Sequence, residues 1–88
     1  MTVEFLRQFE RDIRQLNHGP TVRRIQARIE QIRQAENIQE IPNLRKLRGF
    51  DDAYRIRIGD YRMGLFINQN TVTFARFLHR KEIYRFFP

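Results

Sequence analysis

Three arginines fall close together in Tyr54-Arg55-Ile56-Arg57-Ile58-Gly59-Asp60-Tyr61-Arg62. Guanidinium stays charged at any physiological pH and offers forked donors that match phosphate oxygens. What the three can do together depends on the strands that carry them. Tyr54 to Ile58 alternates apolar with basic, Gly59-Asp60 is a turn signal, and Tyr61 to Ile67 is rich in β-formers. A two-residue loop sets Ile58 opposite Tyr61, Arg57 opposite Arg62, Ile56 opposite Met63 and Arg55 opposite Gly64. Opposed residues share a face. One face then carries Tyr54, Ile56, Ile58, Tyr61, Met63, Leu65 and Ile67, ready to be covered. The other holds Arg55, Arg57 and Arg62, with Gly64 beside them adding no side chain. A solvated strand face mixes Thr, Glu, Lys and Gln, and like charges set directly opposite are destabilising. This uncovered face reads as an anion site.

The charge of the whole chain points the same way. Its 88 residues carry 17 Lys and Arg against 10 Asp and Glu, a net charge of +7. Residues 1–44 account for +1 of this and residues 45–88 for +6, and the second half also holds 9 of the 11 Phe and Tyr. Basic residues interleaved with aromatics suit a polyanion, nucleic acid first, with a generic soluble basic surface or one held by an acidic protein partner as the other readings. The length allows one domain over residues 1–88. With no Cys there is no disulfide and no thiolate chemistry, so packing must supply the stability, and neither metal nor cofactor is expected. No apolar run reaches membrane-spanning length, and the first residues lack the pattern of a signal peptide. A soluble, cytoplasmic protein is expected.

The elements that position the arginines follow from periodicity. Thr2 to Phe5 can form a short strand, after which Leu6, Phe9, Ile13 and Leu16 recur at helical spacing. This helix is expected to stop near Asn17-His18-Gly19, with Gly19 as a left-handed cap. Pro20 opens a second helix whose stripe is Val22, Ile25, Ile29 and Ile32. Facing stripes predict an antiparallel helical hairpin, although such a stripe can also take a partner helix. Pro42 ends any continuation, Leu44 to Arg48 suits an edge strand, Thr71 to Leu78 a third long strand, and the tail from His79 to Phe87 one or two helical turns. The fold class is α+β: an N-terminal helical hairpin on one face of a small twisted antiparallel sheet.

Lys46-Leu47-Arg48-Gly49, the Tyr54–Arg62 run and His79-Arg80-Lys81-Glu82-Ile83-Tyr84 together resemble the RelE/ParE superfamily of toxins from type II toxin–antitoxin pairs, and within it the RelE branch. The resemblance spans essentially the whole chain. It implies a microbial ribonuclease-like fold and a metal-independent endoribonuclease that cleaves mRNA in the ribosomal A site. The implied partners are a cognate antitoxin, the ribosome and its mRNA, with no membrane and no small-molecule cofactor. By motif position it implies catalytic roles for Arg55, Arg57, Arg62, Arg80 and Tyr84, the tyrosine stacking on a base, and RNA contacts for Lys46, Arg48, His79 and Lys81. The chain departs from the family pattern in three places. Arg replaces Lys in the first-strand pair, Leu78 stands where many relatives have Gly, and Gly64 where a larger apolar residue is usual.

Cleavage of RNA by its own 2′-hydroxyl needs a base, charge stabilisation at phosphorus and an acid for the leaving oxygen. The arginines serve the second need and are poor bases. His79, Lys81, Lys46 and Tyr84 are the candidates for proton transfer, each with a blander alternative: a strand-end histidine at the surface, two phosphate contacts, and a tyrosine packed with Phe86 and Phe87. His18, in the helix–helix loop, is assigned no role. ParE members of the superfamily share the fold and inhibit DNA gyrase without nuclease activity, and a noncatalytic nucleic-acid-binding module is the third reading.

Overall fold

The computed structural model describes all of residues 1–88. Its elements in chain order are β1 (Thr2–Phe5), α1 (Arg7–Arg14), α2 (Gly19–Gln34), a 3-10 turn (Ile38–Glu40), β2 (Leu44–Lys46), β3 (Ala53–Ile58), β4 (Tyr61–Asn68), β5 (Thr71–His79) and α3 (Ile83–Phe86). The five strands form one sheet in the order β1-β5-β4-β3-β2. From β2 to β5 it is the expected antiparallel meander, but β1 pairs with β5 in parallel, from Thr2 opposite Thr71 to Phe5 opposite Phe74. The sheet is therefore mixed. A parallel pair needs a crossover connection, and the helical hairpin lies within the chain that joins its two strands.

The helices cover one face. Ile25 and Ile32 of α2 and Phe9 of α1 join Ile56, Ile58, Met63, Leu65, Ile67, Val72, Phe74 and Phe77 in the main core. Phe5 stacks on Phe74 with 5.3 Å between centroids, and Phe9 lies 5.5 Å from the same ring. Phe74 and Phe77 are three apart, which strict alternation would send to opposite faces. The register between β4 and β5 shifts after Gly64, which pairs with Arg76 while Leu65 pairs with Phe74. Ala75 is the extra residue of this β-bulge, and it lets both phenylalanines enter the same core.

Between the helices the structure differs from expectation. α1 ends at Arg14, and Gly19 is not a left-handed cap but the first residue of α2. His18 is the N-cap: its Nδ1 accepts from the Thr21 N–H at 3.3 Å and lies 2.8 Å from the Thr21 hydroxyl. An imidazole acceptor does here what Ser or Asp does at most helix starts. At the far end of α2 the Met1 ammonium donates to the carbonyls of Arg33 and Ala35, a cation where the helix dipole is negative.

β1 is shorter than β5, so the outer edge of β5 beyond Phe74 has no strand beside it. Asp12 of α1 fills the gap. Its Oδ2 accepts from the Phe77 N–H at 2.9 Å and from Arg76 Nε at 2.8 Å, while Oδ1 accepts from Arg76 Nη2 at 3.1 Å. Asp12 is only 6% exposed, the one buried charged residue in the chain. It closes the sheet edge and fixes α1 in register with β5. Asp12→Ala strands a buried N–H and unpairs Arg76, so it should lower unfolding stability by about 2–3 kcal/mol. Urea denaturation measures this, and a loss below half that value would mean water replaces the carboxylate.

Candidate nucleic-acid interface

The register of the β3–β4 hairpin is the one its turn predicts: Arg57 opposite Arg62, Ile56 opposite Met63 and Arg55 opposite Gly64. Gly59 takes φ +60 in the turn, a conformation that favours glycine. Arg55, Arg57 and Arg62 therefore meet on the face away from the helical hairpin, in a cleft of ≈ 580 Å³. Its remaining lining is Arg24, Asn43, Arg45 and Gly59, with no apolar residue. Arg62 is tied to the turn: its Nη1 donates to the Gly59 and Tyr61 carbonyls at 3.0 and 2.9 Å. The ion pairs of the protein, Arg33–Glu30 and Arg76–Asp12, lie elsewhere. No carboxylate neutralises the cleft.

Contrary to expectation, this second face is only half open. Its other half is a small core of Ala53, Ala75, Ile83 and Phe87, with Leu47, Phe66 and Leu78 packed around it. Gly64 is the reason it forms. A Cβ there would lie 2.7 Å from Cγ and Cδ2 of Phe87, so the ring sits where any side chain at 64 would be. Phe66 closes over the same ring at 5.1 Å. Docking of Ile83 and Phe87 roofs this half with α3, and Arg76 holds the roof from the edge, its guanidinium 5.5 Å from the Phe86 centroid. Tyr84, between the anchors, stays 58% exposed and shares a shallow cleft with Arg48 and Phe50.

The remaining expected residues divide by strand parity. Arg80 follows Leu78, which pairs with Arg62, and its backbone N–H donates to the Asp60 carbonyl at 2.8 Å, placing it at the hairpin end of the site. Lys46 pairs with Tyr54 and His79 with Tyr61, so both belong to the face of the helices, away from Arg55. His79 stacks edge-on against Tyr61 at 5.6 Å, and its Nδ1 accepts from the Lys81 N–H at 3.1 Å. Lys81 is exposed at the strand end. The β2 segment does supply a cation to the arginine face, but it is Arg45, paired with Arg55. Sequence reasoning missed it because the connection between β2 and β3 is not a two-residue turn and left β2 without a register. Arg24 could not be found either, because it reaches the cleft from a helix on the other side of the sheet. No three His, Cys, Asp or Glu side chains come together as metal ligands.

The electrostatics bear on stability. Arg62 is held below the usual arginine pKa, first by desolvation, then by Arg57 and Arg55 and more weakly by Arg80, with Tyr84 opposing. A guanidinium with a lowered pKa binds its proton less tightly in the folded chain than in the unfolded one. Charged Arg62 therefore weakens the fold at every pH below its lowered value, and the penalty is relieved only as the proton leaves above it. An anion in the cleft would remove the same penalty without deprotonation.

The chain belongs to the RelE/ParE superfamily of toxins of type II toxin–antitoxin systems. Residues 3–84 match the family described as "ParE toxin of type II toxin-antitoxin system, parDE". Among relatives, the chain is 36% identical to "Toxin RelE3" of Methanocaldococcus jannaschii, with full coverage of both. Among solved structures it is similar to the RelB–RelE antitoxin–toxin complex from Methanococcus jannaschii, with 34% identity, a TM-score of 0.82 and coverage of 97% of this chain and 99% of that one. The archaeal RelE–RelB complex from Pyrococcus horikoshii shares the fold at a TM-score of 0.73 and 23% identity, over 90% of this chain and 93% of that one.

Two stability predictions follow from this geometry. Glycine to alanine within a strand ordinarily gains stability, but Gly64→Ala must displace the Phe87 ring and should cost about 1–3 kcal/mol. Chymotrypsin should then cut faster after Tyr84 and Phe86, and Phe87→Leu added to Gly64→Ala should restore part of the loss. Arg57→Gln removes a like charge opposite Arg62 and should raise the melting temperature by roughly 1–5 °C. Added sulfate should raise the wild-type midpoint more than that of the variant; an equal rise would show that the arginines do not interact.

Proposed function

We propose that this toxin is a ribosome-dependent mRNA endonuclease that cleaves in the A site and blocks translation, and that a cognate antitoxin silences it. One observation carries the reading. Arg55, Arg57 and Arg62 line a cleft free of carboxylates, with Arg80 at its hairpin end, and the adjoining α3 presents an exposed Tyr84. Preorganised guanidiniums stabilise the negative charge that develops as the 2′-oxygen attacks phosphorus, and they need no reorganisation to do so. An exposed tyrosine on a docked helix offers a stacking plane for a base and a hydroxyl for proton transfer. Arg48, beside Tyr84, and Lys81 are assigned to phosphates. His79 and Lys46 face away from the cleft and are assigned at most to long-range attraction of the polyanion. That the relatives include a RelE toxin, and that the Methanococcus relative was solved with its RelB antitoxin, supports both parts of the reading.

A second reading has its own support, since the matching family description is that of ParE. Under it the arginine face would bind a protein, DNA gyrase, and cut nothing. Expression followed by primer extension on a translated message separates the two. New 5′ ends within coding sequence are expected; growth arrest with intact mRNA and inhibited supercoiling would replace the nuclease reading with the gyrase one. Arg62→Ala should lower the single-turnover cleavage rate on programmed ribosomes by on the order of 10² or more, the effect of losing one preorganised donor. Ribosome binding should weaken far less, because the other arginines still meet phosphates. A variant that loses only affinity would make the face a docking surface.

A further inference from the structure

The arginine cleft holds more than Arg55, Arg57 and Arg62, and two of its cations come from outside the hairpin. Arg24 projects from α2, and its Nη1 lies 3.2 Å from where a Cβ on Gly59 would be, so it is packed against the bare backbone of the β3–β4 turn. Arg45 is on the cleft face of β2, opposite Arg55. The two elements are tied together at this end of the sheet. Arg28, one turn along α2 from Arg24, donates from Nη1 to the Pro42 carbonyl at 3.1 Å. Asn43 follows with φ 62, a reversal that starts β2 at Leu44 and sets Arg45 on the cleft side. Glycine at 59 serves both the turn and the close approach of Arg24.

Five guanidiniums (Arg24, Arg45, Arg55, Arg57 and Arg62) thus line one cleft without a neutralising carboxylate. One phosphodiester carries a single negative charge and would leave most of this repulsion in place. The cleft has two sides, one on each flank of β3: Arg62 stands on β4, while Arg45 stands on β2 with Arg24 reaching in from α2. Gly59, at the turn, touches both, since its carbonyl accepts from Arg62 Nη1 and Arg24 packs against its backbone.

We propose that Arg24 and Arg45, on the β2 side of the cleft, form a second phosphate site that holds the nucleotide next to the one at Arg62. The proposal rests on the reading of this face as an RNA site and adds the path of the strand: it crosses β3 from β4 toward β2, with one phosphate on each side. Arg24 and Arg45 are affinity and positioning groups here, not groups at the reacting phosphate.

The test uses the full-length protein and non-cleavable 2′-O-methyl RNA oligonucleotides of two and five residues, at low salt. The dinucleotide, with one linking phosphate, competes against a fluorescent pentanucleotide with four. Arg24→Gln with Arg45→Gln should weaken the pentanucleotide by on the order of tenfold, the scale of a lost charge-assisted contact. The dinucleotide should change less than about twofold. The slope of log K against log salt for the pentanucleotide should fall by about 0.7 for the one phosphate released. Both positions are exposed, and melting curves of the variant verify that it folds. Equal weakening of the two oligonucleotides would overturn the proposal, because Arg24 and Arg45 would then only add to a general field; so would no weakening at all. Tighter binding of an acidic peptide than of the pentanucleotide, with the same dependence on Arg24 and Arg45, would also overturn it in favour of a protein-docking cleft. Because the probes cannot be cut, a protein that fails to cleave mRNA can still show the length dependence, and a competent nuclease can lack it.

Discussion

Arg57 and Arg62 face each other across two hydrogen-bonded strands with no carboxylate between them, and this unfavourable pair organises the molecule. Cross-strand like charges are selected against where a sheet needs only to be stable. The hairpin tolerates them because its opposite face is buried in the main core by Ile56, Ile58, Met63 and Leu65. A shift of one residue would bury the arginines and expose those four, so register and charge cluster are fixed together. The Arg62 bonds to the Gly59 and Tyr61 carbonyls then anchor one guanidinium to the turn. What remains is a group of like charges around one anchored guanidinium, and an anion relieves their repulsion.

The second face illustrates how little material a functional boundary requires. Ala53, Gly64 and Ala75 are small residues on three adjacent strands, and their smallness lets Ile83 and Phe87 seat α3 against the sheet. Two residues away from Gly64 on the same strand, Arg62 opens the cleft. The change from a roofed apolar patch to an open cationic one thus happens within one strand, and Tyr84 is carried on the roof at the boundary.

The hairpin register, the helical stripes and the placing of three arginines on one face were legible because strand alternation and turn chemistry are local rules. They fix Arg57 against Arg62 without any knowledge of the rest of the chain. The parallel pairing of β1 was not legible, since it depends on where a helical hairpin returns the chain. Nor was the roof of α3: the absent side chain at Gly64 has meaning only with Phe87 above it, 23 residues later. Lys46 was assigned to the RNA surface by motif position, whereas its pairing with Tyr54 turns it away and brings Arg45 forward. The Ala75 bulge hides Phe77 from simple alternation for a related reason, since one extra residue reverses the parity of everything after it.

The inventory of the arginine face constrains how such a site can work. Histidine is the side chain suited to exchanging protons near neutrality, but His79 lies on the face of Tyr61, with its Nδ1 already accepting from the Lys81 N–H. The guanidiniums hold their protons too firmly to serve as bases. A cleft of this kind supplies charge stabilisation and geometry in abundance and proton transfer sparingly. If the cleft cuts RNA as proposed, its rate depends on how well the 2′-hydroxyl, phosphorus and leaving oxygen are already aligned when the strand arrives, because orientation can supply the part of the barrier that weak acid–base chemistry leaves. A free strand samples many conformations; one held taut at neighbouring nucleotides samples few. Under the proposed nuclease reading, the requirement for prior alignment follows from a cleft lined by guanidiniums with no histidine or carboxylate among them.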